Sequence, residues 1–317
     1  MTVICKKALC LCLLLVFCCS LFCCGNTQRN ENADRVIFKD ALGREVSVPK
    51  NTTQAAALLG SFAEIWQLAG GTLCAAAEDA WEDFGLDMGD AINIGGAHSP
   101  GLELLVSSCP QLVIASASTA SNVAMKEALE SMGITVAYFD VDNFYDYLAM
   151  LEICTDITGR KDLYKQNGED IKSAIEAIKD EYINADIPEN EKKILLLRAF
   201  SSTVKAKGSK GTVLGEMLSD MGCINIADND QSLLENLSVE AVIKEEPYHI
   251  FAVTMGSNTE AAKASIENMI KENPAWSSLE AIKQGRLHIM EKQLFNFKPN
   301  VRWAQAYEKL YEKLINN

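Results

Sequence analysis

Leu102–Ser116 reads LELLVSSCPQLVIAS, and Val239–Val253 reads VEAVIKEEPYHIFAV. In each stretch a Glu (Glu103, Glu240) opens a short segment with helical apolar spacing, a Pro follows seven residues after the Glu, and an apolar strand comes next. A helix that ends at a Pro and leads into a buried strand is half of a βαβ unit. The repetition predicts two similar α/β lobes; the alternative is a chance likeness between two amphipathic helix–strand units.

Short apolar runs alternate with helical patterns along most of the remaining chain. The strand candidates are Ala55–Leu59, Leu73–Ala77, Leu112–Ala115 and Val136–Phe139 in the first half, and Ile194–Leu197, Ile250–Val253 and Leu287–Met290 in the second. Repeated strand–helix–strand order predicts parallel sheets with helices on both faces, that is, two Rossmann-like lobes. After the first strand, Ser61 and Glu64 have the spacing of a capping box, which predicts a helix start at that point.

A long helix is predicted between the two halves, within residues 159–186. Its apolar positions form a narrow seam, with Lys and Glu on the other faces; they are Ile171, Ile175, Ile178 and Tyr182. A long helix with a thin seam suits a rigid link between two lobes and would leave a cleft on the side away from it. The alternative is an ordinary surface helix of one larger domain.

The first 33 residues have the pattern of an export signal followed by a tether. Lys6 and Lys7 precede a short apolar run, so residues 1–23 are predicted to be a signal peptide. Leu21–Gly25 reads LFCCG and resembles the lipobox of bacterial lipoproteins, which makes Cys24 the predicted lipidation site. Cys19 or Cys23 could be modified instead, and an ordinary secreted protein is the alternative. Residues 24–33 are polar and read as a flexible tether above a membrane.

Composition narrows the classes of partner. The net charge is −14, and the predicted signal removes two further lysines. Such an acidic chain is a poor match for nucleic acid or anionic lipid. Of the eleven cysteines, four remain after residue 24, without a C-x-x-C pair. This excludes a zinc site or a disulfide framework built from them and predicts buried free thiols.

The chain resembles a known family, the substrate-binding lipoproteins of ABC importers for ferric siderophores, haem and cobalamin. The likeness extends from Asp40 to Leu314 and is carried by the order of its pieces. These are DALGREVSVP (Asp40–Pro49), LLGSFAEIWQLAGG (Leu58–Gly71), INIGGAHSPGLELLVSSCPQLVI (Ile92–Ile114), ITGRKDLY (Ile157–Tyr164), GEMLSDMGCINIA (Gly215–Ala227), LSVEAVIKEEPYHIF (Leu237–Phe251), NPAWSSLEAIKQGRLHI (Asn273–Ile289) and KPNVRWAQAY (Lys298–Tyr307). The family often has Pro-Asp before each buried strand, whereas this chain has Gln111 and Tyr248 in the second position.

The resemblance implies two lobes, here residues 34–158 and 187–317, joined by one long helix that resists hinge closure. It implies a carrier that is not an enzyme and has no cofactor or resident metal of its own. It further implies a monomer that meets an ABC permease dimer on the extracytoplasmic face of the cell membrane.

Ligand contacts are expected in the loops at the carboxyl ends of the strands, facing each other across the cleft. Aromatic groups suit a macrocycle or catecholate face, and cations suit an anionic chelate. Arg198 is the most informative candidate, because it interrupts an otherwise apolar strand end. The predicted ligand-binding residues are Ser61, Phe62, Trp81, His98, Arg198, Phe200, Lys298 and Arg302. For several of these residues, a role in the core or in a solvated loop is the alternative.

Glu103 and Glu240 are the predicted permease-docking residues. The resemblance places them near the outer tip of each lobe, where such glutamates meet arginines of the two permease subunits. The alternative is that both are helix-start acids, which the helix dipole favours by some tenths of a kcal/mol.

The predicted function is capture of an iron complex, either a ferric siderophore or haem, and delivery to a membrane permease. Cobalamin is the alternative within the same class. A carrier of bare zinc or manganese would need several converging His and carboxylate ligands, and the chain has three scattered histidines. A secreted enzyme is the alternative from another class, but no nucleophile elbow, phosphate loop or metal-hydrolase motif is present.

Overall fold

A computed structural model of the chain describes residues 34–256 and 258–315. The predicted signal, tether and lipidation site, including Cys19, Cys23 and Cys24, lie outside the described residues. Strands β1 (Arg35–Lys39) and β2 (Glu45–Pro49) form a two-stranded sheet. The first large sheet consists of β3 (Gln54–Ala57), β4 (Thr72–Ala76), β5 (Ile92–Asn93), β6 (Leu112–Ser116) and β7 (Thr135–Phe139). Its order is β5-β4-β3-β6-β7, and all its pairs are parallel.

Helical crossovers connect these parallel strands, as parallel pairing requires. They are α1 (Gly60–Leu68), α2 (Asp79–Glu82), α3 (Leu102–Ser107), α4 (Ala120–Ala124), α5 (Lys126–Ser131) and α6 (Phe144–Thr158). The capping box predicted at Ser61 and Glu64 is wrong. Helix α1 begins at Gly60, its N-cap residue makes no side-chain cap, and the free Gly60 amide donates to Asp79 instead.

A continuous helical run then leads from the first sheet to the second. It consists of α7 (Lys161–Tyr164), a π-helical turn (Lys165–Glu169) and α8 (Asp170–Asn184). Gly159 ends α6 in the left-handed conformation, which glycine adopts without steric penalty. The predicted seam is confirmed, since Ile171, Ile175 and Tyr182 are buried and Ile178 packs beside them.

The second large sheet repeats the arrangement of the first. Its strands are β8 (Lys193–Ala199), β9 (Val204–Lys207), β10 (Ile224–Asn225), β11 (His249–Thr254) and β12 (Leu287–Met290). The parallel order is β10-β8-β11-β12, and β9 folds back antiparallel onto β8. The helices of this half are α9 (Val213–Asp220), α10 (Gln231–Glu235), α11 (Val239–Glu245), α12 (Thr259–Glu272), α13 (Glu280–Lys283), α14 (Lys292–Phe295) and α15 (Trp303–Ile315). The predicted α/β fold with two lobes is confirmed.

The opening pair of sequence stretches forms equivalent units in the two sheets. Helix α3 leads into β6, which pairs with β3, and α11 leads into β11, which pairs with β8. The likeness extends to the backbone. Cys109 and Glu246, each directly before the Pro, both have left-handed φ angles, of 50° and 48°. Few residues other than glycine adopt this conformation, so chance likeness is a poor explanation of the pair.

One apolar core passes through both halves. It includes Trp66 from α1, Tyr147 from α6, Ile175 from α8, Phe251 from β11 and Trp303 from α15. Side chains on the opposite face of the second sheet pack in a separate core against α11 and α12. The four cysteines among the described residues are free. The prediction that they are buried is correct for Cys154 and wrong for the others, since Cys109 is exposed and Cys74 and Cys223 are half-buried.

Candidate functional site

The carboxyl ends of both parallel sheets carry the loops that parallel α/β folds use to bind ligands. In the first lobe these loops follow β3, β4, β5, β6 and β7, and in the second they follow β8, β11 and β12. The loop after β12 includes α14 and continues to α15, over residues 291–302. This second-lobe segment, residues 291–302, contacts several loops of the first lobe.

Three contacts show where the two lobes meet. Lys292 Nζ lies 3.6 Å from Asp83 Oδ1, and Lys298 Nζ lies 3.7 Å from Asp142 Oδ1. The rings of Phe84 and Phe297 lie 5.6 Å apart between their centroids. All the first-lobe partners follow carboxyl ends of strands, so the carboxyl edges of the two sheets face each other at this segment.

Asn300 ties the same segment to the first helix. Its amide nitrogen donates to the carbonyl of Ser61 at 2.9 Å and to Glu64 Oε2 at 2.6 Å. Arg302 lies 3.3 Å from Glu64. Burial raises the pKa of Glu64, while the bonds from Asn300 and Arg302 oppose the shift. Arg302, predicted to bind ligand, therefore has a carboxylate partner within the protein, and Ser61 is buried with its carbonyl engaged.

Lys298, also predicted to bind ligand, is largely enclosed by the first lobe. Besides Asp142, Asp140 and Asp146 act on its charge. Burial lowers the pKa of Lys298, and these carboxylates oppose that shift. Its charge is therefore balanced by carboxylates of the first lobe in this structure.

Arg198 is placed differently from these two cations. It lies near the carboxyl end of β8, half-buried, and its Nε atom is buried without a hydrogen-bond partner among the described residues. Burial lowers its pKa. Antiparallel β9 places Lys205 directly opposite Arg198 and Lys207 opposite Leu196. Because paired residues point to the same face, the three cations lie on one side of this hairpin.

The predicted aromatic residues have mixed surroundings. Phe62 is only 1% exposed and packs edge-on against Phe139, so the expectation of a ligand contact is corrected: it belongs to the core. Trp81 is half-buried beside the small cluster of Ala80 and Met88. Phe200 is half-buried at the turn between β8 and β9, where its amide donates to Thr203.

His98 is exposed in the loop after β5, and its charge acts on Asp79. Asp79 itself was not predicted from the sequence. One of its carboxylate oxygens caps α1, and the other is buried without a partner among the described residues. Burial raises its pKa. Between residues 34 and 315, leaving aside Ser257, no three His, Cys, Asp or Glu side chains are grouped so that they could hold a metal ion.

Glu103 and Glu240 are each the second residue of their helix, and both are exposed. Glu240 Oε2 accepts a hydrogen bond from Ser238 Oγ at 2.9 Å. The backbone amide at the helix start and this hydroxyl lower the pKa of Glu240. The two side chains thus occupy equivalent, accessible places in the two lobes.

No helix in the described part of the chain is both long and apolar enough to cross a membrane.

Comparisons with known proteins agree with this architecture. Residues 56–294 match the family model described as periplasmic binding protein. The Fe(3+)-citrate-binding protein YfmC of Bacillus subtilis is 22% identical over 96% of this chain and 95% of its own length. The siderophore binding protein BauB, solved with two acinetobactin molecules and ferric iron, has a TM-score of 0.69 at 16% identity, covering 89% of this chain and 99% of BauB. IsdE of Staphylococcus aureus, solved with haem, has a TM-score of 0.67 at 16% identity, covering 83% of this chain and 99% of IsdE. The family model spans most of the chain, and the chain belongs to the periplasmic binding protein family.

Proposed function

We propose that the protein is the substrate-binding component of an ABC importer, which captures a ferric siderophore or haem outside the cytoplasmic membrane and delivers it to the permease. The observation that carries this proposal is that the carboxyl edges of the two parallel sheets face each other around residues 291–302. The chain also belongs to the periplasmic binding protein family. Cobalamin stays the alternative ligand of the same class. The proposed lobes are residues 34–158 and 187–317, with the linking helix within residues 159–186.

The carrier function is tested by binding and by uptake together. Purified protein is titrated with a panel of ferric siderophores, haemin and cyanocobalamin, and uptake of the ligand that binds is measured in cells with and without the gene. Saturable binding of one ligand and loss of its uptake on deletion are expected. Binding of none of them, or turnover of ester or glycoside substrates, would refute the proposal.

The exposed glutamates are the proposed contacts with the permease. A twofold permease presents two equivalent sites, and a rigid two-lobed carrier offers one carboxylate in each lobe. Such surface pairs set orientation and encounter rate more than affinity. Glu103→Ala and Glu240→Ala should leave ligand affinity unchanged and reduce uptake, with the double variant lower than either. Gln231→Ala, at an exposed helix start in the second lobe, is the control. Normal uptake by the double variant would show that these glutamates only stabilise helix starts.

Anchoring through Cys24 is proposed for the membrane end of the chain. Two acyl chains on one cysteine provide stable anchoring, at roughly 0.8 kcal/mol per buried methylene. Cys24→Ala should abolish labelling by a fatty-acid analogue and leave the protein unprocessed or released. Labelled, processed Cys24→Ala protein would move the site to Cys23 or Cys19.

A further inference from the structure

Three cations of the second lobe form a row on one face of the β8–β9 hairpin. Arg198 and Lys205 are cross-strand partners, and Lys207 lies two positions further along β9. Val253 of β11 pairs with Arg198 on its other side and belongs to the core that passes through both lobes. The row, Arg198–Lys205–Lys207, therefore faces the side of the sheet on which the two lobes are joined.

The row has no counter-charge in the described part of the chain. No carboxylate there comes within 4.0 Å of any of the three charged groups, whereas Lys292, Lys298 and Arg302 are each ion-paired across the lobes. Asp228, the acid of the neighbouring turn, accepts hydrogen bonds from the amide and hydroxyl of Ser209 with its two oxygens. The three cations of the row therefore have no carboxylate partner among the described residues and are available to an anionic ligand.

The row is also electrostatically strained. Burial lowers the pKa of Lys207, and the charges of Arg198 and Lys205 lower it further. Arg198 and Lys207 share a narrow crevice with Thr212 and Phe295, where solvent screening is weak. Like charges held close together are destabilising, most of all at Arg198 and Lys207, which are partly shielded from water. An anion with several negative groups would offset the repulsion among all three cations.

One aromatic surface at the junction of the lobes is already occupied. The rings of Phe297 and Phe84 lie 5.6 Å apart between their centroids, and Lys292 Nζ lies 4.4 Å from the centre of the Phe297 ring. Trp81 and Phe200 are half-buried. The cation row, in contrast, has no partner of opposite charge in the described residues, and this favours a highly charged ligand over a large apolar one.

We infer that Arg198, Lys205 and Lys207 bind the carboxylate groups of a ferric polycarboxylate complex, an inference that rests on the proposed carrier function. Guanidinium groups match carboxylates in a bidentate geometry, and lysines add point charges beside them. A corrinoid presents mostly neutral amides and would leave the row unneutralised. Haem offers two carboxylates on a large apolar plate, so it would neutralise at most two of the three cations.

The ligand class is tested by calorimetric titration of the full-length protein with ferric citrate, haemin and cyanocobalamin. Ferric citrate should bind most tightly. Its affinity should fall as salt is raised from 50 to 500 mM, because salt screens the attraction between the ligand and the exposed charge of Lys205. If haemin or cyanocobalamin binds and ferric citrate does not, the carrier function stands and the polycarboxylate inference fails. If none of the three binds and the siderophore panel is also negative, the carrier function itself fails.

The site is tested by substitutions with a matched control. Arg198→Ala and Lys207→Ala should each weaken ferric citrate binding by about 30-fold or more, as truncating one side of a desolvated charge pair does. Lys205→Glu should weaken it by about tenfold or more, whereas Lys210→Glu should change it less than about twofold, since long-range charge effects are screened. Lys210 lies three residues beyond Lys207, and its side chain is 86% exposed. Lys210→Glu changes the net charge by the same amount as Lys205→Glu.

Thermal unfolding of each variant separates loss of binding from loss of folding. Lys205 is exposed, so Lys205→Glu should retain the wild-type melting temperature even if a change at half-buried Arg198 does not. Ferric citrate binding that is unchanged in folded Lys205→Glu and Lys207→Ala would overturn the assignment of the row. An equal loss in Lys210→Glu would attribute the effect to overall charge and would overturn it as well.

Discussion

Asn300 shows how much a single side chain can fix in this protein. It is fully buried and has a left-handed φ of 54°. Its side-chain amide donates hydrogen bonds to the Ser61 carbonyl and to the Glu64 carboxylate, both in the first lobe. Asn300→Ala removes both bonds and leaves Glu64 buried with a weaker partner, so the free energy of unfolding should fall by about 2–4 kcal/mol. Denaturant unfolding measures the change. Asn300→Gly is the control, because it relaxes the backbone but also lacks the amide; wild-type stability in this variant would contradict a role for the amide.

The histidine pair of the second sheet makes stability depend on pH. Burial first, then the charges of His288 and Arg286, lowers the pKa of His249 to about 4. Burial, then Lys313 and Arg286, lowers the pKa of His288 to about 4. Both imidazoles are neutral in the folded protein at pH values at which unfolded histidine, with a pKa near 6.5, binds a proton. Their contribution to stability is therefore complete above pH 6.5 and is lost as the pH falls towards 4.

The expected loss between pH 7 and pH 4.5 is on the order of 3 kcal/mol for the coupled pair. It is measured as the difference between the urea unfolding curves of the wild type and of His288→Asn, so that titrating carboxylates cancel. The variant should show a shallower dependence on pH. His98→Asn, which changes an exposed histidine away from the pair, should keep the wild-type dependence; an equal effect in both variants would refute this account.

Asp220 joins three helices through one carboxylate. At the end of α9, it accepts a bond from Lys179 of α8 at 2.6 Å and one from the Tyr307 hydroxyl of α15 at 2.8 Å. Asp220→Ala leaves the Tyr307 hydroxyl without this partner and should lower the free energy of unfolding by about 2–4 kcal/mol. The comparison variant is Asp180→Ala, an exposed acid on α8, for which a change below about 0.5 kcal/mol is expected. Similar losses in the two variants would show that the three-helix contact contributes little.

All seven strands predicted from local pattern are present, whereas the shorter strands β5, β9 and β10 and the first hairpin are not predicted. Buried parallel strands are continuous apolar runs, and this pattern predicts Leu112–Ala115 and Ile250–Val253 directly. The start of α1 was not, because its true cap comes from Asp79, across a turn and a strand. Glu64, which has the spacing of a capping residue, bonds instead to Asn300. A partner so far away in the sequence leaves no local signal.

The candidate site was predictable to a similar degree. Arg198 is recognisable from the sequence because a charged residue inside an apolar strand is unusual. Lys207 is not, because β9 has only four residues and its alternation of apolar and polar side chains is too short to indicate a strand. The place of Phe62 after a strand predicts a ligand contact, but the first turn of α1 directs its side chain into the core. The roles of Lys298 and Arg302 depended on distant acids, Asp142 and Glu64, that only the fold brings close.

The two lobes as a whole are held by several contacts besides the linking helix. Three ion pairs, one tilted contact between aromatic rings and the Asn300 hydrogen bonds cross between them, and one apolar core continues through both. We therefore expect ligand binding to change the radius of gyration by less than about 1 Å, as in pre-organised complexes. Small-angle X-ray scattering with and without ligand measures this. A contraction above about 2 Å would reveal a hinge. Lys298→Met, which removes one crossing ion pair, should increase the change, whereas Lys210→Met should not.

The π-helical turn at Lys165–Glu169 lets the linking helix hold one residue more without a change of phase. Each α-helical residue advances the side-chain direction by about 100°, whereas a π turn fits one extra residue into a single revolution. The α-helix on either side of the turn therefore keeps its direction, and Ile171, Ile175 and Tyr182 stay on one face in the apolar core. Deleting one exposed residue within the turn, such as Gln166, would restore a regular helix and leave this seam in place. A deletion within Asp170–Asn184 would instead turn every later residue by about 100°, so the linking helix can change its length at the π turn without turning one half against the other.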